Sequence, residues 1–141
     1  MKPRFRRRSI VLVDDHIFLR KGLERVLNDT DEFVVCEGVG TAAEGLDAVR
    51  ELQPDGAIVD VGLPDTDGIE LTKQLVTEFP ELIVIVLSMH EEPEYAERAL
   101  QAGARAYILK NQASETLEKA LRDAFEGKRL FSTTLDRPTG N

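Results

Sequence analysis

Short apolar runs alternate with amphipathic segments five times along the chain. Each apolar run is rich in Val and Ile and is bounded by polar or turn-forming residues, which is typical of strands buried on both faces of a sheet. The predicted strands are residues 9–14, 32–39, 56–60, 82–88 and 104–109. This pattern indicates a repeated strand–helix unit.

The segments between these strands carry apolar residues at helical spacing. Thr41 and Ser114 are predicted N-caps, and Gly103 and Gly127 are predicted helix stops. Strands that alternate with helices of this length imply right-handed crossovers and a parallel sheet with helices on both faces. We therefore predict an α/β three-layer sandwich of (βα)5 type. The apolar positions are Ile17, Leu19, Leu23, Val26, Leu27, then Leu46, Val49, Leu52, then Ile69, Leu75, Val76, Phe79, then Ala96, Ala99, Leu100, and finally Leu117, Ala120, Leu121, Ala124, Phe125.

The length of 141 residues fits one domain, which we place at residues 9–130. Residues 1–8 form a basic N-terminal tail that we expect to be frayed and solvated, and residues 131–141 read as the start of a linker. The net charge is −8 although the tail is basic, so the acidic body is a poor general nucleic-acid binder. No apolar run approaches a membrane span, and we expect a cytoplasmic protein with no membrane contact. The lone Cys36 is expected to be a core thiol.

Polar side chains stand at the ends of four predicted strands. Asp14 and Asp15 end the first strand, Asp60 ends the third, Ser88 ends the fourth, and Lys110 follows the fifth. In open α/β sheets, ligands bind beyond the carboxyl ends of the strands, where the strand order reverses. If the order is 2-1-3-4-5, the first and third strands are neighbours and three carboxylates meet in one pocket.

Three adjacent carboxylates raise one another's pKa values or require a cation. A hard divalent ion with oxygen ligands meets that requirement, and Mg²⁺ prefers one or two carboxylates, waters and a substrate phosphate. We predict that Asp14, Asp15 and Asp60 bind Mg²⁺ and that the backbone carbonyl of Gly62 completes the ligand set.

A phosphoryl group is the partner that such a site favours. Asp60 is the natural phosphoacceptor, because a carboxylate can attack phosphorus to give an aspartyl phosphate while the metal screens the repulsion. Lys110 offers a compact positive charge to one phosphoryl oxygen, and the Ser88 hydroxyl can donate a hydrogen bond to another.

The stretches "VLVDDH", "AIVDVGLPDTDGIEL", "IVIVLSMHEE" and "GARAYILK" carry these residues in order. Together they closely resemble the receiver domain of bacterial two-component response regulators, in particular the subgroup with a C-terminal LuxR-type helix-turn-helix. The resemblance implies a flavodoxin-like fold with a parallel sheet of order 2-1-3-4-5, Mg²⁺ as cofactor, and phosphorylation of Asp60 by a sensor histidine kinase. It also implies transcription control through a C-terminal DNA-binding domain, for which residues 131–141 leave no room.

The resemblance further implies a switch, in which Ser88 moves toward the phosphoryl group and Tyr107 on the fifth strand changes rotamer. Phosphorylation would then alter the face formed by helix 4, strand 5 and helix 5, and a homodimer on phosphorylation is possible, with its face left open. Many family members have Pro after the lysine, whereas Asn111 stands here. We nevertheless expect a cis bond between Lys110 and Asn111, and we expect Met89 to narrow access to Asp60.

Neighbouring polar residues receive structural interpretations. His16 reads as a helix-start residue near the site and not as a ligand. Pro64 and Gly68 read as builders of the loop after the third strand, and Asp65 and Asp67 as exposed turn acids.

Alternative functions remain open. A stand-alone receiver would act by protein contact or as a phosphate sink. An aspartyl-phosphate hydrolase would need a second Asp two residues after Asp60, where Gly62 stands, so we expect a signalling domain with self-phosphorylation and slow self-dephosphorylation and not an enzyme with outside substrates. A flavin-binding protein could share the fold, but the first loop has two acids in place of a phosphate-cradling Ser/Thr/Gly sequence.

Overall fold

The computed structural model describes residues 6–128 and 130–131 and contains a six-stranded parallel sheet. The strand order is β2-β1-β3-β4-β5-β6. The predicted order 2-1-3-4-5 is therefore confirmed, and one short strand is added at the β5 edge. The strands are β1 (Arg8–Val13), β2 (Phe33–Val39), β3 (Gly56–Asp60), β4 (Ile83–Ser88), β5 (Ala106–Leu109) and β6 (Leu130–Phe131).

Five helices connect the strands and cover both faces of the sheet. Alternate residues of β1 show the division, because Ile10 and Leu12 join a core with α1 and α5, whereas Val11 and Val13 join a core with α2 and α3. A third cluster under α3 and α4 contains Tyr107. The helices are α1 (Ile17–Asn28), α2 (Ala42–Leu52), α3 (Gly68–Glu78), α4 (Pro93–Ala102) and α5 (Ala113–Phe125), and a 3₁₀ turn spans Lys110–Gln112. No helix within the described residues is long and apolar enough to cross a membrane.

Most predicted helix ends are confirmed. The Thr41 hydroxyl caps α2 by accepting a hydrogen bond from the Glu44 amide at 3.1 Å, and Gly103 ends α4 with a φ of 108°. Gly127 follows α5 with a φ of 90°. The predicted N-cap at Ser114 is wrong, because the 3₁₀ turn leads directly into α5, which begins one residue earlier at Ala113.

Both ends of the predicted domain differ from expectation. Arg8 is the first residue of β1 and its guanidinium lies 4.3 Å from the centre of the Phe125 ring, while Arg7 donates to the Asn28 and Thr30 carbonyls at 2.7 and 2.8 Å. The described part of the basic tail is thus bound to the body of the domain. At the other end, β6 pairs in parallel with β5. Residues 1–5, 129 and 132–141, with most of the predicted linker, lie outside the described residues.

Cys36 is exposed, so its prediction as a core thiol is wrong. The register of β1 against β2 shifts between Ile10, paired with Val35, and Val11, paired with Glu37. Cys36 is the residue left over at this irregularity, and a bulge of this kind turns side chains away from the regular alternation.

Candidate functional site

The five predicted site residues lie at the carboxyl edge of the sheet. Asp14 follows β1, Asp60 ends β3, Ser88 ends β4, and Lys110 begins the turn after β5. β1 and β3 are neighbours in the sheet, and this adjacency brings Asp14 and Asp60 together as predicted. Asp14 and Ser88 are fully buried and Asp60 is 2% exposed, whereas the side chain of Asp15 is 39% exposed.

Lys110 lies between the two buried carboxylates. Its Nζ is 3.0 Å from Oδ2 of Asp60, 3.2 Å from Oδ2 of Asp14 and 3.3 Å from Oδ1 of Asp14. The lysine side chain is only 8% exposed. A buried ammonium group in this place offsets part of the negative charge that the fold concentrates there.

The bond between Lys110 and Asn111 is trans, because no peptide bond among the described residues is cis. The prediction of a cis bond is wrong. A cis bond before a residue other than proline costs about 2.5–4 kcal/mol. The 3₁₀ turn at Lys110–Gln112 brings the lysine to both carboxylates without that cost.

The surroundings of Asp60 raise its pKa above the ordinary value of an aspartate. Burial of the carboxyl group and the nearby charge of Asp14 raise the pKa of Asp60, while the hydrogen bond from Lys110 opposes that rise. The Gly62 amide also opposes it by donating to Oδ1 of Asp60 at 3.2 Å. Ionisation of Asp60 in the folded protein therefore takes place at a cost to stability.

The residues at this edge fit a hard divalent cation. Ligand atoms of Asp14, Asp15, His16 and Asp60 all lie within 4.8 Å of one another. Oδ2 of Asp14 is buried and has no hydrogen-bond partner among the described residues, although Lys110 is close enough for an ion pair. A buried carboxylate oxygen without a hydrogen bond, beside further carboxylates, is the donor set that Mg²⁺ prefers.

His16 belongs to the same cluster. It stands at the N-cap position of α1, as the sequence indicates, but its Nδ1 lies 3.0 Å from Oδ1 of Asp14 and contacts Nζ of Lys110. The sequence interpretation placed His16 near the site without assigning it a partner. Its position directly after two acids was the signal that it could share their pocket.

The two predicted switch residues meet at the backbone of His90. The Ser88 hydroxyl accepts a hydrogen bond from the His90 amide at 2.9 Å, and the Tyr107 hydroxyl donates to the His90 carbonyl at 2.6 Å. Tyr107 is fully buried, and this burial raises the pKa of its phenol. The imidazole of His90 stacks on Tyr95 of α4 with ring centres 4.1 Å apart. The link through His90 joins residues of separate elements, so no pattern along the sequence indicates it.

The loop between β3 and α3 is held by its acids, which the sequence interpretation treated as exposed turn residues. Asp67 caps α3 by accepting from the Ile69 amide at 2.7 Å, and its other oxygen pairs with Arg98 of α4 at 3.1 Å. Asp65 accepts from the amides of Ala42 and Ala43, at 2.8 and 3.0 Å, at the start of α2. These amides lower the pKa of Asp65.

The rim of the site exposes apolar side chains. Phe18 is 94% exposed, Met89 74% and Ile17 60%. A cavity of about 420 Å³ at the same edge of the sheet is lined in part by Leu19, Met89 and Lys110. Large exposed apolar groups are characteristic of protein interaction sites.

Sequence relatives are regulatory proteins that are longer than this chain. The uncharacterized transcriptional regulatory protein YhcZ of Bacillus subtilis (strain 168) is 40% identical over 130 residues, which are 90% of this chain and 59% of YhcZ. The oxygen regulatory protein NreC of Staphylococcus carnosus (strain TM300) is 37% identical over 123 residues, 84% of this chain and 55% of NreC. The chain thus spans less than two thirds of these relatives.

Solved structures agree with the sequence relatives. A LuxR-family two-component response regulator from Aurantimonas sp. SI85-9A1 has a TM-score of 0.85 at 29% identity, covering 90% of this chain and 91% of that one. The non-phosphorylated receiver domain of RcsB from Escherichia coli has a TM-score of 0.83 at 26% identity, covering 89% of this chain and 98% of that one. The sequence profile of the response regulator receiver domain matches residues 10–122. This chain therefore belongs to the response regulator receiver domain family and is related to transcription regulators of the LuxR type.

Proposed function

We propose that this chain is a phosphoacceptor domain, in which Asp60 accepts a phosphoryl group from a sensor histidine kinase. The observation that carries the proposal is the buried Asp60 carboxylate, bound to Lys110 and next to Asp14. A structural ion pair would need one acid for one lysine. Here two buried acids share one lysine, and the excess negative charge is a feature of sites that bind a cation together with a phosphoryl group.

In the proposed reaction a carboxylate oxygen of Asp60 attacks the phosphorus atom of the donor. A P–O bond forms, the bond from phosphorus to the donor nitrogen breaks, and the electron pair stays with the donor imidazole. Lys110 is positioned to donate to a phosphoryl oxygen, and the Ser88 hydroxyl can donate to a second. Asp14, Asp15, Asp60 and the Gly62 carbonyl would hold Mg²⁺, which supplies positive charge against the repulsion between carboxylate and phosphoryl group.

Phosphorylation would alter the contacts around His90. A phosphoryl group brings about −1.5 to −2 charges and three acceptor oxygens, so the Ser88 hydroxyl turns toward it as a donor. Movement of Ser88 releases the His90 amide and disturbs the Tyr107 hydrogen bond to the His90 carbonyl. Because the imidazole of His90 stacks on Tyr95, the change reaches α4. Shifting such a two-state balance from 1:99 to 99:1 takes about 5.5 kcal/mol.

The partners follow from the surface and from the relatives. The exposed apolar rim formed by Ile17, Phe18 and Met89 is the surface we assign to the kinase. Ile17 and Phe18 directly follow His16, whose Nδ1 lies 3.8 Å from Oδ2 of Asp60, and Met89 directly follows Ser88. Control of transcription would be exerted through a C-terminal helix-turn-helix domain, because the longer relative YhcZ is a transcriptional regulatory protein and a structural neighbour is a response regulator of the LuxR family. Homodimer formation on phosphorylation is a further proposal, and its face is left open.

Mass spectrometry of the intact protein tests the proposal directly. The chain is incubated with Mg²⁺ and acetyl phosphate beside Asp60→Asn and beside Asp47→Asn, which removes an exposed acid on α2. We expect one phosphoryl adduct in the unmodified chain and in Asp47→Asn, and none in Asp60→Asn or without Mg²⁺. The absence of any adduct in the folded, unmodified chain would refute phosphotransfer to this site.

A further inference from the structure

The packing around Gly62 does not require a glycine at this position. A Cβ built at this residue would meet no atom within 4 Å, and its φ is not positive. Neither close packing nor a left-handed conformation therefore requires glycine there, and glycine leaves the backbone its greatest freedom. The Gly62 backbone is held by the hydrogen bond from its amide to Oδ1 of Asp60 at 3.2 Å and by an isolated antiparallel bridge to Asp67, so the position of its carbonyl also depends on what anchors the rest of the loop.

The first half of the loop is anchored by apolar burial and the second half by carboxylates. Val61 and Leu63 are 7% and 8% exposed. Beyond the exposed Pro64, Asp65 binds the amides of Ala42 and Ala43. Hydrogen bonds to an ionised carboxylate at a helix start are shorter and stronger than neutral ones, and the helix dipole adds to them.

Asp65 provides more than the cap that α2 needs. The start of α2 has its own cap, in which Thr41 accepts from the Glu44 amide and the Glu44 carboxylate accepts from the Gly40 amide at 3.3 Å. Asp65 takes the two remaining first-turn amides from a loop 22 and 23 residues away in sequence. Its distinctive effect is therefore to tie the β3–α3 loop to α2.

We propose that Asp65 is a positioning residue for the metal site: by binding the start of α2 it holds the loop so that the Gly62 carbonyl stays available as a ligand beside Asp14 and Asp60. The inference rests on the proposed function, because it concerns the same Mg²⁺ site. Asp65 itself touches neither the metal ligands nor the phosphoacceptor. Removing it should weaken Mg²⁺ binding in the resting protein, before any phosphoryl donor is present.

A pair of variants separates positioning from simple destabilisation of α2. Asp65→Ala removes the tie between loop and helix, whereas Thr41→Ala removes a cap from the same helix start without touching the loop. Mg²⁺ affinity is measured by NMR from the amide shifts of Val61 and Gly62 during titration with MgCl₂. Residues that contact metal ligands directly are typically worth 10–100-fold in affinity, and Asp65 acts one contact further out, so its effect should lie at the lower end of that range. We expect Asp65→Ala to raise the dissociation constant about 10-fold and Thr41→Ala to change it less than 2-fold.

The remaining outcomes distinguish this inference from the proposed function. If Asp65→Ala and the unmodified chain bind Mg²⁺ with equal affinity, the positioning role is overturned and the proposed phosphoacceptor is unaffected. The same conclusion follows if Asp65→Ala and Thr41→Ala lose Mg²⁺ affinity equally. If the unmodified chain binds no Mg²⁺, the proposed metal site fails and the inference fails with it. Asp65→Asn keeps one acceptor oxygen but lacks the charge, and it replaces Asp65→Ala in the test if that variant does not fold. We expect its Mg²⁺ affinity to lie between those of the unmodified chain and Asp65→Ala. An unchanged Mg²⁺ affinity in Asp65→Asn overturns the positioning role.

Discussion

Gly68 at the start of α3 is the glycine whose replacement the structure predicts to be most damaging. A Cβ at this residue would lie 2.7 Å from the carbonyl carbon of Asp60 and 2.9 Å from Cα of Val61, and it would collide with the Asp60 carbonyl oxygen. These are backbone atoms of the strand end that carries Asp60, the proposed phosphoacceptor. The Gly68 amide also donates to the Val61 carbonyl at 2.9 Å, so the helix start cannot move away freely.

The expected stability change is a balance between helix propensity and steric overlap. Replacing glycine by alanine in a helix gains up to about 1 kcal/mol. Forcing an extra methyl group into filled space costs about 1–3 kcal/mol and occasionally more, and here the obstacle is backbone that cannot change rotamer. We therefore expect Gly68→Ala to lose about 1–3 kcal/mol in the free energy of unfolding, with a displaced Asp60 and slower phosphorylation.

Gly22 provides the matched control. It lies on an exposed position of α1, and a Cβ there would meet no atom within 4 Å. Gly22→Ala should stabilise the protein by about 0.5–1 kcal/mol. Urea unfolding followed by circular dichroism should shift the two midpoints in opposite directions at a similar slope. A gain in stability for both variants would refute the steric argument at Gly68.

Three further predictions concern other residues. The pKa of Asp60 is raised in the folded state by burial and by Asp14, so its ionisation costs stability. Without Mg²⁺, the unmodified chain should therefore lose stability relative to Asp60→Asn as pH rises through the raised pKa, which urea unfolding at several pH values would show. Urea midpoints of the two proteins that change in parallel with pH would contradict this. Phe18→Ala should change the free energy of unfolding by no more than about 0.5 kcal/mol, because Phe18 is exposed. It should leave labelling by acetyl phosphate unchanged and slow phosphoryl transfer from a kinase. Equal slowing with both phosphoryl donors would argue against a role of Phe18 in docking the kinase. Exposed Cys36 should react with a thiol reagent in the folded protein, increasingly at higher pH because burial of part of the group raises its pKa; a reaction seen only on unfolding would place the thiol in the core.

The sequence predicted the elements that depend on local periodicity. Each buried strand was visible as a Val/Ile-rich run, and the caps at Thr41 and Gly103 were visible because their chemistry involves residues three or four positions away. The predicted N-cap at Ser114 is wrong for the same reason, because the 3₁₀ turn before α5 is set by a distant contact, that of Lys110 with Asp60. A short parallel strand such as β6 has no pattern of its own, because two residues cannot show a period.

The gathering of Asp14, Asp15, Asp60, Ser88 and Lys110 at one edge was determined by the sequence alone, because a parallel sheet places every strand's carboxyl end on the same side. Only the tertiary structure decided which groups these residues bind. Lys110 reaches its two carboxylates through a trans peptide, and His16 enters the pocket. Asp65 and Asp67 tie the β3–α3 loop to neighbouring helices. Such contacts join backbone and side-chain atoms far apart in the chain. Their partners depend on distances of about 3 Å between separate elements, which no spacing along the sequence specifies.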